Sequence, residues 1–226
     1  MTQTENKETD VDLTLLHNYN IDIKNRELYL HSHFADSEEV GVDYRSAITF
    51  EKNLRYLNLI SLEPIVVHMH LPGGDWQDCL GIYDTIKASK SKVAIIAYAK
   101  VESSSSVLLQ AADLRILTPN TNFLIHYGSL SIDNEHKAAL SMVQWSEKES
   151  EKMIEIFTEK CISSRIAKEK NWKRMIVRKH IVTQLATKRD WILTADEAVH
   201  YGFADGILGS KKYPNIDYLK TIIKKQ

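Results

Sequence analysis

Two stretches of the sequence carry residue types that suit acyl-transfer chemistry. In the first, Pro72-Gly73-Gly74 follows a β-branched run, Ile65–Leu71, and precedes a helical stripe, Asp75–Lys87. Glycines at such a junction let backbone N–H groups approach a ligand closely, and a helix start favours negative charge. In the second, Ser103 lies just beyond the apolar run Val93–Tyr98 and begins a serine tract, Ser103–Ser106, that opens an apolar helix. A serine at a strand-to-helix turn exposes its Oγ while the next backbone N–H points at a developing oxyanion. Each stretch also has a plainer reading. Pro-Gly-Gly makes ordinary turns, and serine tracts cap helices.

The elements that must hold these residues alternate along the chain. Glu27–His31 (ELYLH) reads as a short strand. Ala47–Ile60 places Phe50, Leu54 and Leu57 at helical spacing. Ile65–Leu71 and Lys92–Tyr98 read as strands, the second apolar enough to be buried on both faces. Asp75–Lys87 is helical, with Trp76, Cys79, Leu80, Tyr83 and Ile86 on one stripe. Leu114–Leu117, Asn122–His126 and Trp191–Leu193 are three more short strands. Glu135 to about Lys179 is a long charged helical region, with Trp145, Met153 and Ile156 as a packing stripe. Thr194 and Glu197 form a capping-box pattern for a helix that ends at Gly202. Residues 1–12 read as a flexible tail, and 13–226 as a single domain without repeats or linkers. Strands alternating with helices make the fold class α/β.

Three blocks give the sequence a family resemblance. LPGGDWQDCLGIYDTIK resembles the SPGG…IYDT stretch of the ClpP family of self-compartmentalised serine peptidases. SSSSVLLQAADLRILTPNTNFLIH resembles that family's nucleophile helix and its strand to the catalytic histidine. RDWILTADEAVHYGFADGIL resembles its C-terminal segment, which begins with the catalytic aspartate. The blocks lie in the family's order, and the 29 positions from Gly74 to Ser103 match its spacing without a gap. The resemblance implies a ClpP/crotonase-like fold of repeated β-β-α units with a protruding handle helix near residues 135–180. It implies Ser103 as nucleophile, His126 as general base and Asp190 as the carboxylate orienting it; near-normal turnover in Asp190→Asn would point to Asp205 or Asp196 instead. Gly74 and Ser104 would supply the oxyanion-hole N–H groups. It further implies a cytoplasmic serine endopeptidase, assembled as a homo-oligomeric ring of heptameric type, single or stacked. Such a ring is fed unfolded polypeptides by an AAA+ unfoldase ATPase, and no cofactor or metal is expected.

The sequence also departs from the family pattern, as a divergent, phage-type member would. Val101 and Glu102 replace the small residues before the nucleophile, and Ser105 replaces a glycine. A carboxylate at Glu102 is expected to crowd the site, so that its removal raises turnover. After His126 the chain reads Tyr127-Gly128-Ser129-Leu130, with one glycine where the family has a glycine-rich strand. Three rival readings stay open at this point. The chain could be an inactive ring subunit, an acyl-CoA enzyme of the crotonase fold, or a Ser-Lys enzyme using Lys100.

Composition removes other classes. At 226 residues, 43% hydrophobic and 26% charged, the chain can bury a core and is too apolar for disorder. Lys+Arg of 29 against Asp+Glu of 30 gives a net charge of −1, with no positive excess to hold nucleic acid. The basic run Arg165–Lys179 remains a local exception. Cys79 and Cys161 are too far apart for metal-ligand spacing and read as idle buried thiols. His31/His33 and His68/His70 sit at strand spacing without supporting carboxylates or cysteines close in sequence. No basic-then-apolar leader and no membrane-length apolar stretch is expected.

Overall fold

The computed structural model describes residues 3–31 and 41–225, with side chains from residue 11 onward. His33 lies outside the described residues. The elements run in the order α1 (Gln3–Tyr19), β1 (Ile21–Asp22), β2 (Glu27–His31), α2 (Tyr44–Ile60), β3 (Ile65–Leu71), α3 (Trp76–Lys87) and β4 (Val93–Glu102). They continue through α4 (Ser104–Leu109), β5 (Leu114–Leu117), β6 (Asn122–Ile125), α5 (His136–Cys161), α6 (Arg165–Glu169) and α7 (Arg174–Lys188). The chain closes with β7 (Trp191–Leu193), α8 (Ala195–His200), β8 (Gly206–Ile207) and α9 (Ile216–Lys224). Residues 3–12, expected as a tail, lie in α1. The helix is exposed over Val11–Thr14 and meets the body through the partly buried Leu15 and Leu16.

β4 is the central strand. Val93 to Ala97 are fully buried, as a strand covered on both faces requires. It pairs in parallel with β3 on one side, within the sheet order β1-β2-β3-β4-β5-β8. On the other side it changes partner. Ala94–Ala97 pair with β5, whereas Lys100–Glu102 pair with β6. The change is made at a register shift against β3, around Ala99, which has a φ of 50°. Such an irregularity bends a strand and re-aims the residues beyond it. The first residue past the end of β4 is Ser103.

The sheet has two apolar faces. One packs under α2, α3, α4, the second half of α5, and α7, through residues such as Leu54, Ile82, Leu108, Phe157 and Val177. The other is a smaller cluster in which Val66, Ala94, Ile96 and Ile116 are covered by Tyr213, Leu219 and Ile223. The handle region is broken into α5, α6 and α7. The first half of α5 stands clear of the body: Leu140, Met142, Val143 and Trp145 are exposed, while Met153, Ile154 and Phe157 are buried. The three arginines of the basic run are paired within the fold. Arg174 pairs with Glu155 and Glu159, Arg178 with Glu151, and Arg165 with Glu169.

α8 has the capping box expected at Thr194 and Glu197. Gly202, at a φ of 75°, completes its C-terminal turn, with Phe203 N–H donating to Ala198 O. No helix among the described residues is long and apolar enough to cross a membrane.

On the smaller face, His68 places its two ring nitrogens against Tyr98 Oη at 2.8 Å and Glu27 Oε2 at 3.1 Å. Lys220 donates to Glu27 Oε1 at 2.6 Å. Burial alone would raise the Glu27 carboxyl, but the hydrogen bonds from His68 and Lys220 pull it down to about 2. A depressed carboxyl stabilises the fold above its ordinary range and loses that contribution as pH falls through the folded value. Glu27→Gln should therefore lower the unfolding free energy at neutral pH by up to about 3 kcal/mol. In urea titrations the gap from wild type should close between about pH 5 and pH 2. A gap independent of pH would contradict this.

Candidate active site

Ser103 sits one residue beyond β4, at φ 57° and ψ −131°. That conformation is rare for a non-glycine residue and costs about 1–3 kcal/mol. It makes the sharp turn between a buried strand and α4. Ser103 occupies the N-cap position of α4, yet its side chain makes no capping bond. Its Oγ instead lies 2.7 Å from His126 Nε2. The other tract serines are all directed to backbone carbonyls. Ser104 Oγ donates to Gly74 O, Ser105 Oγ to Leu71 O and Glu102 O, and Ser106 Oγ to Ser103 O. Only Ser103 faces an imidazole.

His126 and Asp190 meet through the sheet register. β6 and β7 are antiparallel, with Ile125 opposite Trp191. The next pair along the ladder is His126 and Asp190. Arg189, at a φ of 61°, ends α7 and turns the chain into β7. His126 Nδ1 lies 3.1 Å from Asp190 Oδ1. With its proton on Nδ1, His126 donates to Asp190 and accepts from Ser103 on Nε2, as a general base must. The His126 side chain is 29% exposed and that of Asp190 is 61%, so water reaches the outer end of the relay. Asp205 is engaged elsewhere, in a forked pair with Arg115. Asp196 lies in the first turn of α8.

Gly73 and Gly74 pack against Ser103 and the loop at Val42. A Cβ on Gly73 would come within 2.6 Å of Ser103 Cβ. One on Gly74, at a φ of 136°, would come within 2.2 Å of Val42 N. Val42 N–H donates to Gly73 O, and Asp75 N–H to Val42 O, pinning the loop on both sides of Gly74. Among the described residues no bond takes the Gly74 N–H. Ser104 opens α4, so its N–H has no helical acceptor. Beneath it, the buried Cys79 thiol donates to Ser104 O at 3.0 Å. Burial pushes that thiol up to about 12, so it stays protonated. Both cysteines are free and buried.

These residues line a cleft of about 670 Å³ between the body and α5. Gly74, Ser103, Ser104 and His126 line it at one side, and Met142, Trp145, Glu149 and Met153 of α5 at the other. Trp145, read from the sequence as a packing residue, is exposed and lines the cleft, whereas Met153 packs in the core as expected and also borders the cleft. Glu149 was given no role by the sequence reading. Its position, four residues after Trp145 on a helix, was the available signal. The stretch Tyr127–Leu130 also lines the cleft, as an irregular segment rather than a strand. Glu102 ends β4 and is not among the cleft-lining residues, so it does not crowd the site as expected.

A family model of the Clp proteases matches residues 37–211. The ATP-dependent Clp protease proteolytic subunit 2 of Mycobacterium leprae is 29% identical over 178 residues, covering 76% of this chain and 77% of its own. The subunit of the same name from Pseudomonas aeruginosa is 28% identical over 174 residues, covering 76% and 79%. Among solved structures, a ClpP1 mutant from Listeria monocytogenes superposes with a TM-score of 0.65 at 21% identity. That match covers 88% of this chain and 98% of the other, and it shows the shared fold. The family model spans both the glycine loop and the Ser103–His126 pair, and the chain belongs to the Clp protease family.

Proposed function

We propose that this protein is a serine endopeptidase that hydrolyses unfolded polypeptides. The observation that carries the reading is the continuous Ser103–His126–Asp190 relay, at 2.7 and 3.1 Å, opening on a cleft. In the proposed reaction His126 takes the Ser103 proton as Oγ attacks the peptide carbonyl. The oxyanion that forms is held by the N–H groups of Gly74 and Ser104. The C–N bond breaks as His126 returns the proton to the leaving amine. Water then enters and attacks the acyl carbonyl as it gives a proton to His126; the C–Oγ bond breaks as His126 returns that proton to Ser103 Oγ, releasing the acyl chain as a carboxylic acid.

Residues 13–226 serve as one peptidase domain, with 135–180 as its handle. The exposed apolar half of α5 suits burial against other copies, in a closed ring with the family's heptameric number. An AAA+ ATPase would deliver unfolded chains to it; the relatives are named as proteolytic subunits of an ATP-dependent protease, which supports a separate ATP-using partner. The cytoplasm is the compartment in which such a partner and two free thiols fit together.

The test is hydrolysis of a short fluorogenic peptide by the purified protein. Turnover should be lost when His126, the group placed to accept the serine proton, is replaced by alanine. A folded protein should survive until an unfolding ATPase is added. Absence of peptide hydrolysis in an assembled sample would contradict the reading.

A further inference from the structure

Every charged residue of the cleft wall apart from His126 is acidic. Among the described residues they are Asp75 and Glu149, and no lysine or arginine lines the cleft. Asp75 is partly spent, since its Oδ1 caps α3 by accepting from the Gln77 and Asp78 N–H groups. Glu149 is differently placed. Its Oε1 accepts from Trp145 Nε1 at 2.8 Å and from the Gln77 amide on α3, which ties the two walls of the cleft together. Glu151, Glu155 and Glu159 on the same helix pair with arginines of α7. Glu149 has no ion pair among the described residues. Lys148 and Lys152 lie over the Trp145 ring, 5.8 and 5.9 Å from its centre, and neither lines the cleft.

We infer that Glu149 is a specificity-determining residue, whose carboxylate selects peptides with a lysine or arginine side chain at one position near the scissile bond. This rests on the peptidase reading above. The two neutral donors on Oε1 fix the carboxylate's direction without neutralising it. Its Oε2 is left to accept from an ammonium or guanidinium group. Such a charge-assisted bond, formed in a half-enclosed cleft, discriminates on the order of tenfold. An acidic substrate side chain at the same position meets the Glu149 carboxylate and, among the described lining residues, no lysine or arginine.

The experiment uses fluorogenic peptides that differ only in carrying Lys, Gln or Glu at each position flanking the cleaved bond. At one position wild type should favour Lys over Glu in kcat/KM by on the order of tenfold. Added salt should shrink that ratio. In Glu149→Gln the Lys/Glu ratio should collapse towards one, and Glu149→Asp should restore part of it. Glu147→Gln, on the same helix but outside this cleft, should keep the wild-type ratio. Cleavage with no charge preference in wild type, or a preference that survives Glu149→Gln, would overturn the inference. If no peptide is cleaved, the peptidase reading fails instead. Tryptophan-fluorescence binding of the Lys and Glu peptides to the wild-type protein then decides the charge preference by itself.

Discussion

Replacing Ser103 with alanine should lower kcat/KM for a short peptide by on the order of 10⁴-fold or more, with the fold intact. The size follows from the proposed role, since among the described residues no other cleft hydroxyl lies within reach of the His126 imidazole. The intact fold follows from the contacts. Ser103 Oγ makes no capping bond, and its partner is the surface-accessible His126. Alanine at the same positive φ keeps the steric situation of serine. Ser104→Ala gives the contrast. It removes one bond to Gly74 O but leaves the Ser104 N–H in place, so it should retain most of the activity. The two variants, compared by peptide turnover and thermal unfolding, separate the nucleophile from its neighbours. A Ser103→Ala protein with near-normal turnover would remove Ser103 from the mechanism.

Asp190→Asn is expected to have the second largest effect, roughly 10²- to 10⁴-fold in kcat. The amide can donate to Nδ1, which favours the tautomer with its proton on Nε2. That tautomer cannot accept from Ser103. The lower end of the range reflects the exposure of Asp190, since water can take over part of its bond to the imidazole. The loss should fall on kcat more than on KM, because Asp190 does not line the cleft. Near-normal turnover in this variant would take Asp190 out of the relay. Asp205 could not replace it, because its carboxylate is held by Arg115.

The site was legible in the sequence where chemistry depends on local order. Gly73, Gly74 and Ser103 each stand at a strand-to-helix junction, and such junctions are written in short-range patterns. His126 and Asp190 became legible through the resemblance alone. Nothing in their own neighbourhoods says that β6 and β7 pair in the register that sets them opposite each other. The irregularity at Ala99, which moves β4 from β5 to β6, left no sequence signal either. An alanine at positive φ is a tertiary effect that local propensity does not encode. Glu149 was hidden for a related reason. Its partner Gln77 is 72 positions away, on another helix. α9 was missed despite a readable signal, the Asn215 cap followed by Leu219 and Ile223 at i and i+4. The N-terminal segment shows the opposite case. Gln3–Tyr19 is mostly polar, so its apolar periodicity is weak although it forms a helix.

The central claim is that Ser103 is an activated nucleophile. The most direct measurement is labelling of the native protein with a fluorophosphonate probe, with mass-spectrometric mapping of the modified peptide. The probe reacts with a serine only where a base removes its proton and an oxyanion hole receives the phosphoryl oxygen. The account predicts one modified serine, Ser103, with labelling lost in Ser103→Ala and sharply reduced in His126→Ala. Labelling on Ser104, labelling that persists in Ser103→Ala, or a native protein that never reacts would contradict it.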